Sequence, residues 1–432
     1  MNKQEIRKLL GFYENELTNN ILPFWINRSH DCINGGFFNC FDNTGKTLMS
    51  HDKYMWSQGR FVWLWSKLAS MECGTFTKQQ RNRFLEYSRS GCDFLIRHCL
   101  MGENDWRCVF LTDEAGNPKY VDGYTRFDMS IYADMFVIAA FGKFAEVTGD
   151  REIYLFGKKL YESVVNRVRQ NDYQTLPYPL SKVYKTHGIP MILSNVTKEL
   201  YGAAYIFDVE YCRVLKVNLD GFITEILTNF VDKNNVLHEI ILSDNHFFDE
   251  LLGQYVNPGH TLEDAWFMLD AVDILEKYNC IPKISAITKR AFNIGWDTKY
   301  GGLLHMCGLN SGAPTGHLGK SSNEPMLKQT VEDWNYKLWW VHSEALYVSL
   351  LLYDRTHDVE FLTWHQKVFD YTFSVFPNKD RETREWVQIL TREGKPQEKV
   401  VALPVKDPYH ISRNLILIIE LLYKMLDDSK AC

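Results

Sequence analysis

Residues 257–269 read NPGHTLEDAWFML, and residues 407–422 read DPYHISRNLILIIELL. Each stretch sets a histidine, His260 or His410, at the foot of an apolar-periodic helix, just behind a proline. The positive end of a helix dipole disfavours imidazolium, so a ring placed there is biased toward the neutral form that accepts a proton near neutral pH. Glu263 follows His260 by one turn and shares its helix face, and a nearby carboxylate pushes the other way. Arg413 stands in the same relation to His410. Two matched histidines of this kind are what general acid–base catalysis needs. Others of the 13, such as His30, His98, His357 and His365, have no such placement. In HDKYMWSQGRFVWLWSKL (51–68), Arg60 lies near the start of a helix whose apolar face carries Trp56, Phe61, Trp63 and Trp65. A guanidinium there either reaches the surface or presents itself to a ligand oxyanion. In KLWWVHSEALYVSLLLY (337–353), Trp339 and Trp340 precede His342 and Glu344, and their flat faces serve either as packing or as a platform for a sugar.

Other chemistries find no support in the pattern. HEIIL at 238–242 lacks the second histidine of a zinc protease helix, and neither a phosphate-binding loop, a dinucleotide fingerprint nor a GxSxG elbow occurs. The ten cysteines at 32, 40, 73, 92, 99, 108, 212, 280, 307 and 432 lie singly, without metal-ligand spacing, and read as free thiols of a reducing cytoplasm. No metal is expected. A net charge of −6 with no run of like charges gives nothing to attract nucleic acid or an anionic membrane. No stretch approaches the roughly 18 apolar residues of a membrane span, and the N-terminus has no apolar leader core. The aromatic content of 14% instead points to a large aromatic-lined interior fit for small neutral ligands.

The elements that must carry these residues are helices. Helical periodicity recurs near 3–20, 54–72, 77–98, 126–147, 150–170, 196–212, 215–231, 260–278, 282–296, 336–356, 359–376 and 409–427. Short turns within FAEVTGDREIYLF (144–156) and LYDRTHDVEFL (352–362) share a Thr-x-Asp, one helical-hairpin turn used twice. Long links near 21–53, 99–125, 171–195, 232–259, 297–335 and 377–408 alternate with the short turns. Four link segments, GGFFNCFDNTGKTL, WRCVFLTDEAGNPK, GGLLHMCGLNSGAP and REWVQILTREGKPQ, repeat an apolar run followed by a glycine turn and are expected to form β-hairpins. The economical architecture is an all-α closed ring of six helical hairpins, one domain over 1–432, with the long links gathered at one end.

With GGFFNCFDNTGK, WSQGRFVW, PMILSN (190–195), NPGHTLEDAWFML, GWDTKYGGL, KLWWVHSEAL, LTREGK and PYHISR in view, the chain resembles the N-acylglucosamine 2-epimerase family over nearly its whole length. That resemblance implies an (α/α)6 barrel and interconversion of sugars at C1 and C2. It implies His260 and His410 as the acid–base pair acting on opposite faces of C2, and Arg60 as the cation beside an ene-diolate. Glu263 would support the first histidine or touch substrate, and Trp340, Met191, Asn195 and Arg413 are substrate-binding candidates. Relatives acting on unmodified mannose or cellobiose carry an extra histidine near PMILSN. Met191, Ile192 and Leu193 in that stretch favour instead an N-acyl sugar, whose methyl suits an apolar wall. SIYADMF (130–136) and GLNSGAPTGHLGKSSNEP (308–325) depart from the family pattern and bear on the pocket rim. The resemblance requires no cofactor and allows an ATP-type nucleotide activator and a homodimer. The alternatives are epimerisation or aldose–ketose isomerisation of mannose, glucose or cellobiose, a glycoside hydrolase using Asp128, Asp134, Glu263 or Glu344, and a non-catalytic sugar-binding protein.

Overall fold

Thr-x-Asp turns do what their composition predicts. Gly149 (φ 72°) closes the helix Ile131–Thr148 in the left-handed conformation, and the Asp150 side chain caps Arg151–Arg169 by accepting the Glu152 and Ile153 N–H groups. His357 (φ 56°) takes the glycine's place in the second copy, and Asp358 caps Val359–Val375. Each turn therefore reverses the chain between an inner and an outer helix.

The structure, a computed structural model, describes residues 1–428; Cys432 lies outside them. Six inner helices, Met55–Ser70, Ile131–Thr148, Gly188–Phe207, Pro258–Leu275, Trp339–Thr356 and Tyr409–Asp428, pack each on the next, and the last closes on the first. Outside them run Lys3–Asn15, Lys78–His98, Arg151–Arg169, Val209–Glu225, Ile281–Gly295 and Val359–Val375, each packed mainly against one inner helix. Sequence decides which layer a helix joins. IYADMFVIAAFGKFAEVT is apolar on every face and must be covered on every face, whereas Arg151–Arg169 buries Ile153, Leu160 and Val164 and exposes Lys159, Glu162 and Asn166. Among the described residues no helix is long and apolar enough to cross a membrane.

Several expected boundaries move. The inner helix expected over 196–212 is Gly188–Phe207, so PMILSN is helical rather than the end of a link; Pro190 fits because a first-turn residue needs no N–H partner. The His260 helix starts at Pro258, capped by the Asn257 side chain. Leu22–Arg28 and Pro325–Asp333 are additional helices inside links.

The four expected β-hairpins are corrected too. Phe41↔Leu48, Thr112↔Pro118 and Leu390↔Pro396 are single bridges across glycine turns, too short for hairpins, and in GGLLHMCGLNSGAP Leu303 bridges back to Trp296 while Cys307–Gly308 pairs with another link. The strands pair mainly between successive links: Lys53–Tyr54 with Leu111–Thr112, Tyr184–Thr186 with Ile240–Leu242, Tyr255–Val256 with Cys307–Gly308, and Lys337–Leu338 with Ile389–Leu390. All four pairs are antiparallel. Four of these strands lead into inner helices at Met55, Gly188, Pro258 and Trp339, with at most one residue between, so the ladder fixes where those helices begin. Link-to-link backbone pairing is a tertiary contact, invisible to local alternation.

Inner helices all follow long links, so their N-termini gather at one end of the ring, where the partial positive charges of six helix ends converge. Close packing holds them there. A Cβ on Gly59 would lie 2.5 Å from the Phe136 carbonyl oxygen, nearer than any side chain tolerates. Gly59→Ala should therefore cost about 1–3 kcal/mol in urea unfolding and also lower activity, because Arg60 is the next residue. Parent-like stability would mean the two helices separate without cost.

Candidate functional site

Arg60, His260 and His410, far apart in the chain, line one cavity at the convergent N-terminal end of the inner ring, together with Glu263, Met191 and Trp340. Trp340 lies between the two histidines, its ring 5.2 Å from that of His260 and 5.6 Å from that of His410. The turn before His260 is shaped for this neighbour: a Cβ on Gly259 would fall 2.5 Å from the Trp340 ring.

His260 presents its ring to the cavity, with 26% of the side chain exposed. Its backbone N–H donates to Asn257 Oδ1 (3.2 Å), and Nδ1 lies 2.9 Å from Glu239 Oε1. Burial pushes the Glu239 carboxyl up, but His260 and His187 outweigh it and hold the group well below the usual carboxylate range. An ionised carboxylate only accepts, so Nδ1 carries the proton and Nε2 is the lone-pair nitrogen. Behind Glu239, His187 Nδ1 stands 3.8 Å from Oε2, while His187 Nε2 lies 2.8 Å from Asp264 Oδ2. Burial disfavours a charged His187, yet the Asp264 and Glu239 carboxylates raise it to about 9, so it is an imidazolium at neutral pH. Asp264, His187 and Glu239 alternate in charge and lead through hydrogen bonds and close contacts to His260 at the cavity.

His410 repeats the arrangement from another helix. Asp407 Oδ2 accepts its backbone N–H (2.9 Å), the capping role expected of that aspartate. His410 Nδ1 lies 2.7 Å from Glu344 Oε1. Glu344 also accepts from Trp266 Nε1, Asn414 Nδ2 and Arg413. Burial pushes Glu344 up, but Arg413 and His410 hold it down at about 2. Nδ1 is again the protonated nitrogen, which leaves Nε2 to accept the Arg60 N–H at 3.3 Å. Arg60 is oriented by Asp407 Oδ1 (3.2 Å) and packs over the Phe136 ring at 4.2 Å.

Three expected roles change. Glu263 follows His260 on the same helix, yet it turns away to Arg413 (2.5 Å), and its oxygen lies 3.8 Å from His410 Nδ1; it serves the other histidine. Arg413, 1% exposed, is absent from the cavity wall: it bonds Glu263 and Glu344, each at 2.5 Å, and positions rather than touches. Asn195 is buried and also lies outside the wall. Of the proposed apolar stretch, Met191 and Ile192 face the cavity and Leu193 does not.

Among the described residues one group of donors has metal-like spacing, Glu263, Glu344 and His410, and the Arg413 guanidinium already supplies the positive charge between its two carboxylates. The carboxylates considered for a hydrolase are spoken for as well. Asp128 binds Arg107 and Arg126, Asp134 binds Arg167, and neither lines the cavity.

Glu239, His187, Asp264 and His305 are not among the residues that the sequence marks for chemistry. Glu239 and its neighbour His238 are the only polar residues of VLHEIIL, and a buried acid in such a run was the available signal. For the His187–Asp264 pair, 77 residues apart, there was none.

Known proteins resemble this chain in sequence and in fold. The family model described as N-acylglucosamine 2-epimerase (GlcNAc 2-epimerase) matches residues 36–413. The chain is 28% identical to the N-acylglucosamine 2-epimerase of Mus musculus over 94% of this chain and 90% of that one. It is 24% identical to the cellobiose 2-epimerase of Ruminococcus albus over 92% and 95%. The solved cellobiose 2-epimerase of Bacillus thermoamylovorans superposes with a TM-score of 0.75 at 19% identity, covering 96% of this chain and 99% of that one. A D-mannose isomerase gives 0.70 at 17% identity, covering 96% and 97%. These two structures share the fold.

Proposed function

The chain belongs to the N-acylglucosamine 2-epimerase family, and from that premise we propose that it interconverts N-acylglucosamine and N-acylmannosamine by moving a proton at C2. The observation that carries this is the pair of carboxylate-backed imidazoles, on separate helices, facing one cavity beside a guanidinium.

Each part has a step. In the open-chain sugar the C2–H is acidified by the C1 carbonyl. His260 Nε2 takes the proton, the C–H electrons form C1=C2, and negative charge develops on O1, giving an enolate of the ene-diolate type. Arg60 and the converging helix N-termini stabilise that charge. In this direction His410 carries a solvent-derived proton on Nε2 in place of the bond from Arg60, is steadied through Nδ1 by Glu344 and returns that proton to the opposite face; His260 then releases its proton to solvent, and inversion results. In the reverse direction the two histidines exchange roles. Acid, base and cation are all side chains of this chain, so a nucleotide would act as activator and not as reactant, and a homodimer would leave the chemistry within one subunit.

The N-acyl branch draws support from the apolar part of the wall, where Met191 and Ile192 are joined by Met306 and Met326. Met326 directly follows the segment 308–325 that departs from the family pattern, and it belongs to the extra helix Pro325–Asp333. Free thiols at the nine described cysteines fit a cytoplasmic setting.

The test is incubation in D2O with N-acetylmannosamine, N-acetylglucosamine, mannose, glucose and cellobiose in turn, read by NMR at C2. Deuterium should enter C2 of both acetamido sugars as they interconvert. Exchange confined to unmodified sugars, or turnover with C2–H retained, would overturn the reading.

A further inference from the structure

A third histidine reaches the cavity and has no part in the proton transfers above. His305 lies on the link between Ile281–Gly295 and Trp339–Thr356, 3% exposed, its ring edge-on to Trp340 with centroids 6.4 Å apart. Three imidazoles therefore surround one indole. The backbone on either side is pinned: the His305 N–H donates to the Tyr336 carbonyl and the Met306 N–H to the Trp334 carbonyl, both at 3.0 Å. His305 Nδ1 lies 3.2 Å from the Asp333 carbonyl oxygen. A carbonyl only accepts, so Nδ1 is the protonated nitrogen and Nε2 offers a lone pair alone. Among the described residues no donor reaches that Nε2, although the ring forms part of the cavity wall. Burial, with little to oppose it, lowers this ring to about 4, which keeps it neutral where the other two histidines work.

A neutral acceptor fixed in a low-dielectric cavity and left without a donor is costly unless a ligand completes it. We propose that His305 Nε2 accepts a hydrogen bond from the sugar, either from the acylamino N–H at C2 or from a neighbouring hydroxyl, and so sets which sugars seat with C2 between His260 and His410. Position favours this role. His305 shares Trp340 with both acid–base histidines, and Met306, the next residue, lines the same wall, so polar and apolar recognition come from one pinned segment. His305 is thus a specificity-determining residue. The inference rests on the reading that the cavity takes a sugar, and holds for either the acetamido or the hydroxyl branch.

The test compares the parent enzyme with His305→Phe, which keeps the ring and loses the acceptor, and His305→Gln, whose amide oxygen can reach the Nε2 position. Substrates are N-acetylmannosamine, its 3-deoxy and 4-deoxy forms, and its N-methylated amide, followed by C2 exchange. His305→Phe should lower kcat/KM about tenfold or more, chiefly through KM, with an unchanged pH profile, and His305→Gln should recover most of the loss. The analogue lacking the bonded donor should be poor for the parent yet lose nothing further in His305→Phe, which identifies the N–H or the hydroxyl. A His305→Phe enzyme within twofold of the parent on every sugar, or one whose pH profile shifts, would overturn the proposal. If the parent exchanges mannose but not N-acetylmannosamine, the N-acyl reading fails on its own, and deoxymannoses put the same question to His305.

Discussion

His260→Asn should abolish epimerisation in both directions, with kcat for inversion falling by about 10²–10⁴-fold, and should leave the melting transition of the parent intact. Stability is spared because His260 is the more open of the two histidines and the asparagine amide can still donate to Glu239. The two-base geometry makes a finer claim. With His260 gone, the epimer whose C2–H faces His410 can still give up its proton and take it back on the same face. Solvent deuterium should thus enter that one epimer with retention, while the other epimer stays unlabelled. His410→Asn should show the mirror image. Inversion surviving in either variant at a tenth or more of the parent rate would mean that a single base, or a base not named here, serves both faces. Combining both changes should cost little beyond either alone, because inversion already fails when one member of the pair is missing.

Arg413→Met should be the most destabilising single change at the site. The guanidinium is 1% exposed, bonds Glu263 and Glu344 at 2.5 Å each, and stacks on Tyr409 and Trp266. Methionine can replace much of the stem packing but not the charge, leaving two buried carboxylates without their shared partner. Breaking a buried pair in this way costs about 3–5 kcal/mol, measured as a lower urea midpoint at neutral pH. The acid limb of stability should move with it. Glu344 is held at about 2 in the folded chain, so its contribution is full above the ordinary glutamate value near 4.3 and is lost as pH falls toward 2. Without Arg413 the folded value rises, and less of that contribution exists at any pH. Adding Glu263→Gln to Arg413→Met should recover part of the stability by removing one of the stranded charges. A variant within about 1 kcal/mol of the parent would show that water or the neighbouring amides replace the guanidinium, a far smaller cost than breaking a buried pair. Activity should fall even in the folded fraction, since a Glu344 no longer held ionised steadies His410 less well.

Much of this protein was written locally. Periodicity located all twelve barrel helices, because a helix reports its buried stripe every turn, but it set the pair expected over 196–212 and 215–231 five to eight residues too late at Gly188–Phe207 and Val209–Glu225. The alternation of short Thr-x-Asp turns with long links implied a ring of hairpins, since short turns force neighbours antiparallel and long links must return the chain to the same end. His260, His410 and Arg60 were legible because each occupies the start of a strongly apolar helix, where its side chain is out of place unless it faces something. Other features had no local signature. The β-pairs join different links, so alternation within a link could not reveal them. Glu263 follows His260 by three residues, and spacing alone paired them, but the fold sets Arg413 from the last inner helix closer and draws the carboxylate to the other histidine. Glu239, His187 and Asp264 come from three segments that meet only when the ring closes. The sequence by itself determined which helices exist and which residues are placed to do proton chemistry, because those follow from periodicity and position within one element. Only the tertiary structure decided which carboxylate backs which histidine and what faces the empty nitrogen of each ring, because burial charges and hydrogen bonds are set by neighbours tens to hundreds of residues away.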